Sequence, residues 1–443
     1  MSKSTPRGRK ARSLLLAAAL GVSFLGHAQS NYQPSQSNLE ARKAFRDHGF
    51  GIFLHWGLYS TFAQGEWYMT VANINHAEYA KAAAGFYPSR FDADAWVKAI
   101  KASGAGYLTI TSRHHDSFSL WDTKQSDYNM VRATPFRRDV LRELHDACRR
   151  HGLGFHIYYS LLDWSREDYY PLGRTGRGTG RTKHGQWSSY DAFMKAQLTE
   201  LVRDYDADAI WLDGEWDHDQ NPSFDWGFPA LYSLIHQLKP SCLIGNNHHG
   251  TPHAGEDFQM FERDVPGANT AGLSGQAISK LPLETCQTMN GMWGYKIADQ
   301  NYKSDTTLIR LLVSTAGRDA NLLLNIGPEP SGALPALALD RLSKIGAWMQ
   351  RYGATVRGVR AGLLPPQEWG VTTQRGKTLY LHILDWSSRL LSLPLTTPVK
   401  RVISYDTQRP IRYQQSKDGL TLSFDQAPSA ANAVDYIVQV ELR

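Results

Sequence analysis

Three acidic residues follow short apolar runs, where the end of a β-strand would hold a side chain firmly. Asp213 closes the run in IWLDGEWD, Glu262 ends DFQMFE, and Glu284 lies in LPLETC. Cleavage of a glycosidic bond needs one carboxyl group to attack or stabilise the anomeric carbon and another to protonate the leaving oxygen. We therefore predict Asp213 as a nucleophile and Glu262 as the second carboxyl group, with Glu284 as its alternative.

Each carboxylate also has a structural interpretation. An Asp-Gly pair often forms a turn or a helix cap, and either glutamate could form a buried ion pair with a base such as Arg263. Glu215 and Asp217 are rivals to Asp213, but they lie beyond the glycine of IWLDGEWD. Positioning is looser there, and this favours Asp213.

Histidines are the second group of candidates. The run TSRHHDSFS contains His114, His115 and Asp116, while His55 and His248 follow other apolar runs. A zinc hydrolase should show a tight ligand set, such as H-E-x-x-H on one helix, and these histidines are spread over three predicted strand ends. A neutral imidazole offers one donor and one acceptor to sugar hydroxyls. Substrate contact is therefore favoured for these histidines, and a metal-dependent hydrolase is the alternative.

The elements that must position these residues alternate between strands and helices. Helical patterns at 92–104, 137–152 and 189–205 separate apolar runs and close near a glycine or a turn. Alternation of this kind implies parallel strands with right-handed crossovers, and eight runs favour a (β/α)8 barrel over an open sheet. The absence of a G-x-G-x-x-G or Walker loop after the first run argues against nucleotide binding. The predicted strands are 51–57, 106–112, 154–160, 208–214, 241–247, 256–262, 282–289 and 320–328.

Two further features complete the predicted architecture. The connection 246–256 has no helical pattern, which predicts a distorted barrel near strands five and six. After a last helix at 336–352, apolar and polar residues alternate between turns, as in antiparallel strands with one buried face. We therefore predict a catalytic (β/α)8-like barrel over 29–355 and a C-terminal antiparallel β-sandwich over 356–443.

The N-terminus has the composition of an export signal. Five basic residues precede an apolar run and a small-residue exit, which predicts a signal peptide over 1–28 and a periplasmic or secreted protein. Removing these 28 residues lowers the formal charge from +6 to +1. A nearly neutral chain shows no bias toward nucleic acid or anionic membranes. Three cysteines in a chain of 443 residues do not form a disulfide framework.

Nine segments, in order from about residue 45 to 350, resemble the α-L-fucosidases of glycoside hydrolase family 29. The block ETC…WGY resembles the branch associated with α-1,3/4-linked fucose on branched glycans. The segments are FGIFLHWGLYS, GEWY, YLTITSRHHDSFSLWDT, YYSLLDW, IWLDGEWD, NNHHG, GEDFQMFERDVPGANT, LPLETCQTMNGMWGY and LLLNIGP.

The resemblance implies a retaining exo-glycosidase that needs no cofactor or metal and acts on fucosylated oligosaccharides or glycoconjugates. It assigns the nucleophile to Asp213 and the acid/base to Glu262, with Glu284 open, and His248 stands where some members have an arginine. A non-catalytic glycan-binding protein on the same barrel is a further alternative. The residues that match positions around the fucose ring are His55, Glu66, Trp67, His114, His115, Tyr159 and Trp211.

Overall fold

The structure is a computed structural model that describes residues 32–182, 184–428 and 434–443. The predicted signal peptide at 1–28 lies outside the described residues. Among those that are described, none of the helices combines the length and apolar character needed to cross a bilayer.

Eight parallel strands form one sheet that curls into a barrel, and each overlaps one of the predicted apolar runs. Together with the C-terminal antiparallel sheets, this confirms the predicted fold class. Most of the strands are buried along their whole length, as expected for a barrel covered by helices. Their bounds are β1 Phe50–Leu54, β2 Tyr107–Arg113, β3 Gly154–Ser160, β4 Ala209–Asp213, β5 Leu243–Asn247, β6 Gln259–Glu262, β7 Leu283–Thr288 and β8 Ala320–Ile326.

The helices begin and end where capping chemistry allows. In the helix predicted at 137–152, the Asp139 side chain caps the first turn by accepting from the Arg142 N–H, so the helix begins at Val140. It ends at His151, and the residue that caps its C-terminus, Gly152, has a φ of 64°. The α-helices are α1 Gln36–His48, α2 Tyr68–Val71, α3 His76–Ala80, α4 Ala93–Ala102, α5 Val140–His151, α6 Trp187–Arg203, α7 Phe228–Leu238, α8 Asp305–Ala316 and α9 Ala336–Tyr352. Short 3-10 helices occupy Leu58–Phe62, Lys81–Gly85, Glu215–His218 and Gly353–Thr355.

The barrel has a seam between β5 and β6, which lie at the two ends of the strand order β5-β4-β3-β2-β1-β8-β7-β6. Asp257 bridges this seam, since its backbone N–H donates to the Ile244 carbonyl and its carboxylate accepts from the Ile244 N–H, both at 2.7 Å. Arg42 and His236 contact the same carboxylate at 2.6 Å and 2.9 Å. The distortion predicted near strands five and six is confirmed, and a buried side chain substitutes there for a strand ladder.

The C-terminal strands form two antiparallel sheets around a separate apolar core that includes Leu381, Leu422 and Val440. Arg310 of α8 donates to the carbonyls of Leu384 and Val434, which fastens these sheets to the barrel helices. The five-stranded sheet contains β9 Arg360–Ala361, β10 Gly370–Arg375, β11 Thr378–Ile383, β13 Val399–Ser404 and β16 Tyr436–Leu442. The three-stranded sheet contains β12 Leu390–Leu393, β14 Arg412–Ser416 and β15 Gly419–Ser423.

We expect Asp257→Ala to lower the free energy of unfolding by about 3 to 5 kcal/mol, because it leaves Arg42 and a buried N–H without their partner. The Asp257 side chain has no exposed surface, whereas the ion pair of Asp425 with Arg412 is largely exposed. Asp425→Ala is the matched control, with no measurable effect expected. Urea denaturation followed by circular dichroism compares the two variants, and unchanged stability of Asp257→Ala would contradict the role assigned to the seam.

Candidate active site

One pocket opens where barrel folds place reactive groups, at the carboxyl ends of the strands. Its volume of about 180 Å³ is smaller than the roughly 300–1,000 Å³ of pockets for drug-sized ligands, so it suits a single sugar ring. The lining residues are Phe53, His55, Glu66, Trp67, His114, His115, Tyr158, Arg174, Trp211, Asp213, Trp216, Asn247, His249, Glu262, Leu273, Cys286 and Trp293.

Asp213 is the last residue of β4 and is held by three donors. Its Oδ2 accepts from the Tyr158 hydroxyl at 2.9 Å, and its Oδ1 accepts from Trp216 Nε1 at 2.9 Å. Asn247 Nδ2 reaches Oδ1 at 3.3 Å. Gly214 has a φ of 113°, a value that L side chains rarely adopt, so it allows the chain to turn sharply. Asp213 is therefore fixed on a strand while the following turn leaves its carboxylate facing the pocket.

Glu262 ends β6 across the barrel seam from Asp213. Its Oε2 accepts from Asn247 Nδ2 at 2.9 Å and from His249 Nε2 at 3.0 Å. One amide nitrogen therefore contacts both carboxylates. His249 has a φ of 59°, which is uncommon for a residue other than glycine; such strain is typical of functional sites. Its side chain pairs with Glu262.

The charges in this group depend on one another. Burial and the nearby charge of Glu262 raise the pKa of Asp213 to about 6. Burial acts to raise the pKa of Glu262, but the bonds from His249 and Asn247 outweigh it and hold that pKa below its ordinary value. Burial likewise opposes protonation of His249, yet the hydrogen bond and charge of Glu262 raise the pKa of the imidazole. The pair thus favours the protonated form of His249 and the ionised form of Glu262.

Three other histidines present neutral rings to the pocket. Burial lowers the pKa of His55 to about 3. Burial and the neighbouring imidazoles lower the pKa of His114 and of His115 well below the ordinary value. His55 Nδ1 contacts Asn325 Oδ1 at 2.7 Å, and His115 Nδ1 contacts Ser160 Oγ at 2.7 Å. These partners fix the ring orientations, and neutral rings can exchange hydrogen bonds with hydroxyl groups.

Aromatic rings form the walls. Trp67 and Trp216 stack at 5.7 Å with planes 19° apart, and Phe53 lies 5.2 Å from Trp211 between ring centroids. Glu66 lies among them, where its Oε2 accepts from the Gly294 N–H at 2.7 Å. Burial raises the pKa of Glu66. The pocket therefore combines apolar faces with a few fixed polar groups.

Most of the predicted site residues come together in this pocket, but Tyr159 does not. The Tyr159 hydroxyl donates to Gln197 of α6 at 2.8 Å, and the Arg113 guanidinium lies over its ring. Successive side chains of a strand point to opposite faces. Tyr158, one residue earlier, therefore faces the barrel interior and contacts Asp213.

His248 and Glu284 also lie outside the pocket lining. His248 Nε2 contacts Glu256 at 3.1 Å, and the neighbouring His249 takes the position beside Glu262. Glu284 is buried deeper in the barrel, where it accepts hydrogen bonds from Tyr107 and from Trp211 Nε1. Burial raises the pKa of Glu284 to about 7. Its contacts suit support of Trp211 from below rather than contact with a substrate.

Sequence reasoning missed several residues of the pocket. Tyr158, Asn247 and His249 lie in or near the last residues of predicted strands, and the alternation of side chains along the strand could have selected Tyr158. Trp216 lies in the Glu215–His218 turn, and Arg174 comes from the long loop after β3 and lies over the Trp216 ring. Only the folded chain brings these loops to the pocket.

Known proteins with similar sequences and folds point to one activity. The sequence profile of a family described as alpha-L-fucosidase matches residues 22–354. The alpha-L-fucosidase of Branchiostoma floridae is 28% identical, over 94% of this chain and 96% of that protein. The tissue alpha-L-fucosidase of Homo sapiens is 26% identical, over 98% of each chain.

Solved structures agree with these sequences. Alpha-L-fucosidase isoenzyme 1 from Paenibacillus thiaminolyticus superposes with a TM-score of 0.80 at 32% identity, covering 92% of this chain and all of that one. A GH29 alpha-L-fucosidase from Bacteroides thetaiotaomicron, trapped as a covalent intermediate with 2-fluoro-fucosyl fluoride, gives a TM-score of 0.78 at 25% identity, covering 94% of this chain and 98% of that one.

The two adjacent tyrosines allow a direct test of the pocket geometry. We expect Tyr158→Phe to raise the pKa of Asp213, because the lost hydroxyl stabilises the ionised carboxylate. Tyr159→Phe should leave that pKa unchanged and lower stability by about 1 kcal/mol, because Gln197 loses a buried donor. Carboxyl-carbon NMR titration measures the pKa, and equal shifts in both variants would contradict the assigned orientations.

Proposed function

The chain belongs to the α-L-fucosidase family of glycoside hydrolases, and we propose that it releases terminal α-L-fucose with retention of configuration, using Asp213 as nucleophile and Glu262 as acid/base. The observation that carries this proposal is the Asn247 amide, which contacts both carboxylates at 3.3 Å and 2.9 Å. The two bonded oxygens are no farther apart than the sum of these distances. A shared donor of this kind keeps the two carboxyl groups close together, which favours a retaining mechanism over an inverting one.

The proposed reaction has two steps. Asp213 attacks the anomeric carbon as the glycosidic bond breaks, while Glu262 gives a proton to the departing oxygen. Glu262 obtains that proton through its hydrogen bond to His249. In the second step Glu262 removes a proton from water, and the resulting hydroxide displaces Asp213 and releases fucose.

Recognition of the sugar rests on the neutral histidines and the aromatic walls. Fucose has a methyl group at C6, and an apolar wall accommodates it, but a buried methyl contributes only about 1 kcal/mol. Hydrogen bonds to hydroxyl groups discriminate more strongly, because a missing hydroxyl leaves a buried polar group unpaired. We assign this role to His55, His114 and His115. The small pocket volume favours a terminal residue.

The nucleophile is tested by chemical rescue. Asp213→Gly should lower kcat on an aryl α-L-fucoside by about 10⁴-fold or more, and added azide should restore turnover and yield β-L-fucosyl azide. Asp219→Gly is the matched control, because Asp219 lies six residues later, is exposed and does not line the pocket. It should keep most activity. Equal losses in the two variants, or no azide product with Asp213→Gly, would overturn the assignment.

The pH profile tests the coupling of the two carboxylates. Asp213 must be ionised to attack, so kcat/KM should rise with pH through about 6. Glu262 raises the pKa of Asp213 more than His249 lowers it. Glu262→Gln should therefore move this rising limb to lower pH, measured on an aryl fucoside whose good leaving group needs no acid. An unmoved limb would show that the two carboxylates do not interact.

We also propose a preference for α-1,3/1,4-linked fucose on branched glycans. The ETC…WGY block that resembles this branch contributes Cys286 and Trp293 to the pocket, and its Gly294 N–H contacts Glu66. Free fucose should be released from a branched α-1,3/4-fucosylated oligosaccharide at least tenfold faster than from an α-1,2-fucosylated one or an aryl fucoside, with or without chelator. Faster release from the α-1,2-linked substrate would refute the preference, and loss of release in chelator would favour a metal-dependent mechanism.

We also propose that the enzyme is exported from the cytoplasm. The basic and apolar segments of residues 1–28 support a periplasmic or secreted enzyme. The mass of the protein recovered outside the cytoplasm should correspond to a chain that begins after Ala28. Full-length protein found only in the cytoplasm would contradict this localisation.

A further inference from the structure

A second cluster of reactive side chains lies beside the pocket without lining it. Within the described part of the chain, Glu215, His248 and His253 form the group in which three metal-ligating atoms approach within 4.8 Å of one another. Glu215 follows β4, and both histidines lie in the loop after β5. We propose that this cluster binds a divalent transition-metal cation of the zinc type and fastens the loop across the barrel seam.

The distances suit such an ion. His253 Nε2 lies 3.0 Å and 3.1 Å from the two carboxylate oxygens of Glu215. Two ligands of a tetrahedral zinc ion at ordinary bond lengths are about 3.3 Å apart. Small side-chain shifts would therefore let a cation replace the proton that His253 and Glu215 share. Two imidazoles and one carboxylate are a zinc-binding combination, and the fourth position is available to water.

Neighbouring groups hold two of the three ligands in place. His248 Nε2 contacts Glu256 at 3.1 Å, and its Nδ1 accepts from the Gly250 N–H at 3.0 Å. Coordination by His248 replaces one of these two bonds. Asn246 Nδ2 donates to Glu215 Oε2 at 3.0 Å. Hydrogen bonds of this kind orient metal ligands and strengthen metal binding.

The cluster lies at the barrel seam, where a bound ion would stabilise the loops around the pocket. The loop from His248 to Phe258 joins β5 to β6 without a helix, at the seam where a strand ladder is replaced by side-chain bonds. A cation held by Glu215 and this loop would tie the β4 and β5 loops together. The tied segments carry Trp216 and His249, which contact Asp213 and Glu262. The ion itself lies outside the pocket, so it takes no part in bond cleavage.

Cobalt(II) is a suitable probe, because its absorption spectrum reports coordination geometry. The processed enzyme, made without a histidine tag and stripped with chelator, should bind one equivalent of Co²⁺ with the spectrum of a four- or five-coordinate nitrogen and oxygen site. Zn²⁺ should displace the Co²⁺ and raise Tm. His253→Ala should weaken Co²⁺ binding by at least about 10-fold, because loss of a ligand costs no less than loss of a supporting group.

His151→Ala is the control. His151 also contacts a carboxylate, Asp94, at 2.7 Å, but this pair is not part of the three-ligand cluster, so the variant should bind Co²⁺ like the parent. Weak, sub-stoichiometric binding, or equal binding by His253→Ala and the parent, would overturn the proposal. Hydrolysis of an aryl fucoside in chelator is measured on the same samples, so a failure of the catalytic assignment is distinguishable from a failure of the metal site.

Discussion

The main electrostatic constraint on this protein is the burial of two carboxylates, Asp213 and Glu262, that share one amide donor. Two like charges in a medium of low dielectric repel each other strongly, and each also loses hydration. The structure offsets this cost with polar donors and a histidine. Tyr158, Trp216 and Asn247 donate to Asp213, while His249 contacts Glu262 and favours its ionised form. The pKa of Asp213 is raised because burial removes hydration and, to a smaller extent, because these contacts leave part of the repulsion from Glu262 uncompensated.

The barrel makes this arrangement possible because its seam, between β5 and β6, lies between the strand that carries Asp213 and the strand that carries Glu262. A helical crossover after β5 would carry the chain away from the strand ends. Instead the loop stays at the mouth of the barrel, and the left-handed backbone of His249 accompanies a side chain that pairs with Glu262. Asp257 keeps the seam closed below this point. The loop that takes the place of a helix after β5 is therefore both the irregular part of the barrel and the segment that positions His249 beside Glu262.

Strands and helices could be predicted from the sequence because burial is periodic along the chain. The eight apolar runs and the alternating C-terminal pattern indicate which faces of the strands are buried. Asp213 and Glu262 are identifiable from the sequence as carboxylates at the ends of strands. Side-chain direction at the strand ends is harder to predict. Tyr158 and Tyr159 are chemically identical, so only the phase of β3 separates the pocket residue from the one that faces α6. The loop that contains His248 and His249 is irregular, so no periodic pattern of side chains indicates which of the two faces the pocket.

Glu284 shows how the interior of the barrel serves the site without lining it. An acidic side chain after an apolar run has the same sequence signature as a catalytic one. Its depth in the barrel gives it a different environment, since burial brings its pKa to about 7 and a large fraction is neutral at that pH. The neutral fraction of Glu284 adds no charge to that already at Asp213 and Glu262. It can still accept hydrogen bonds from Tyr107 and Trp211. Glu284 thus holds Trp211 in the pocket wall through a hydrogen bond. Burial in the barrel core favours the uncharged form of this carboxyl group.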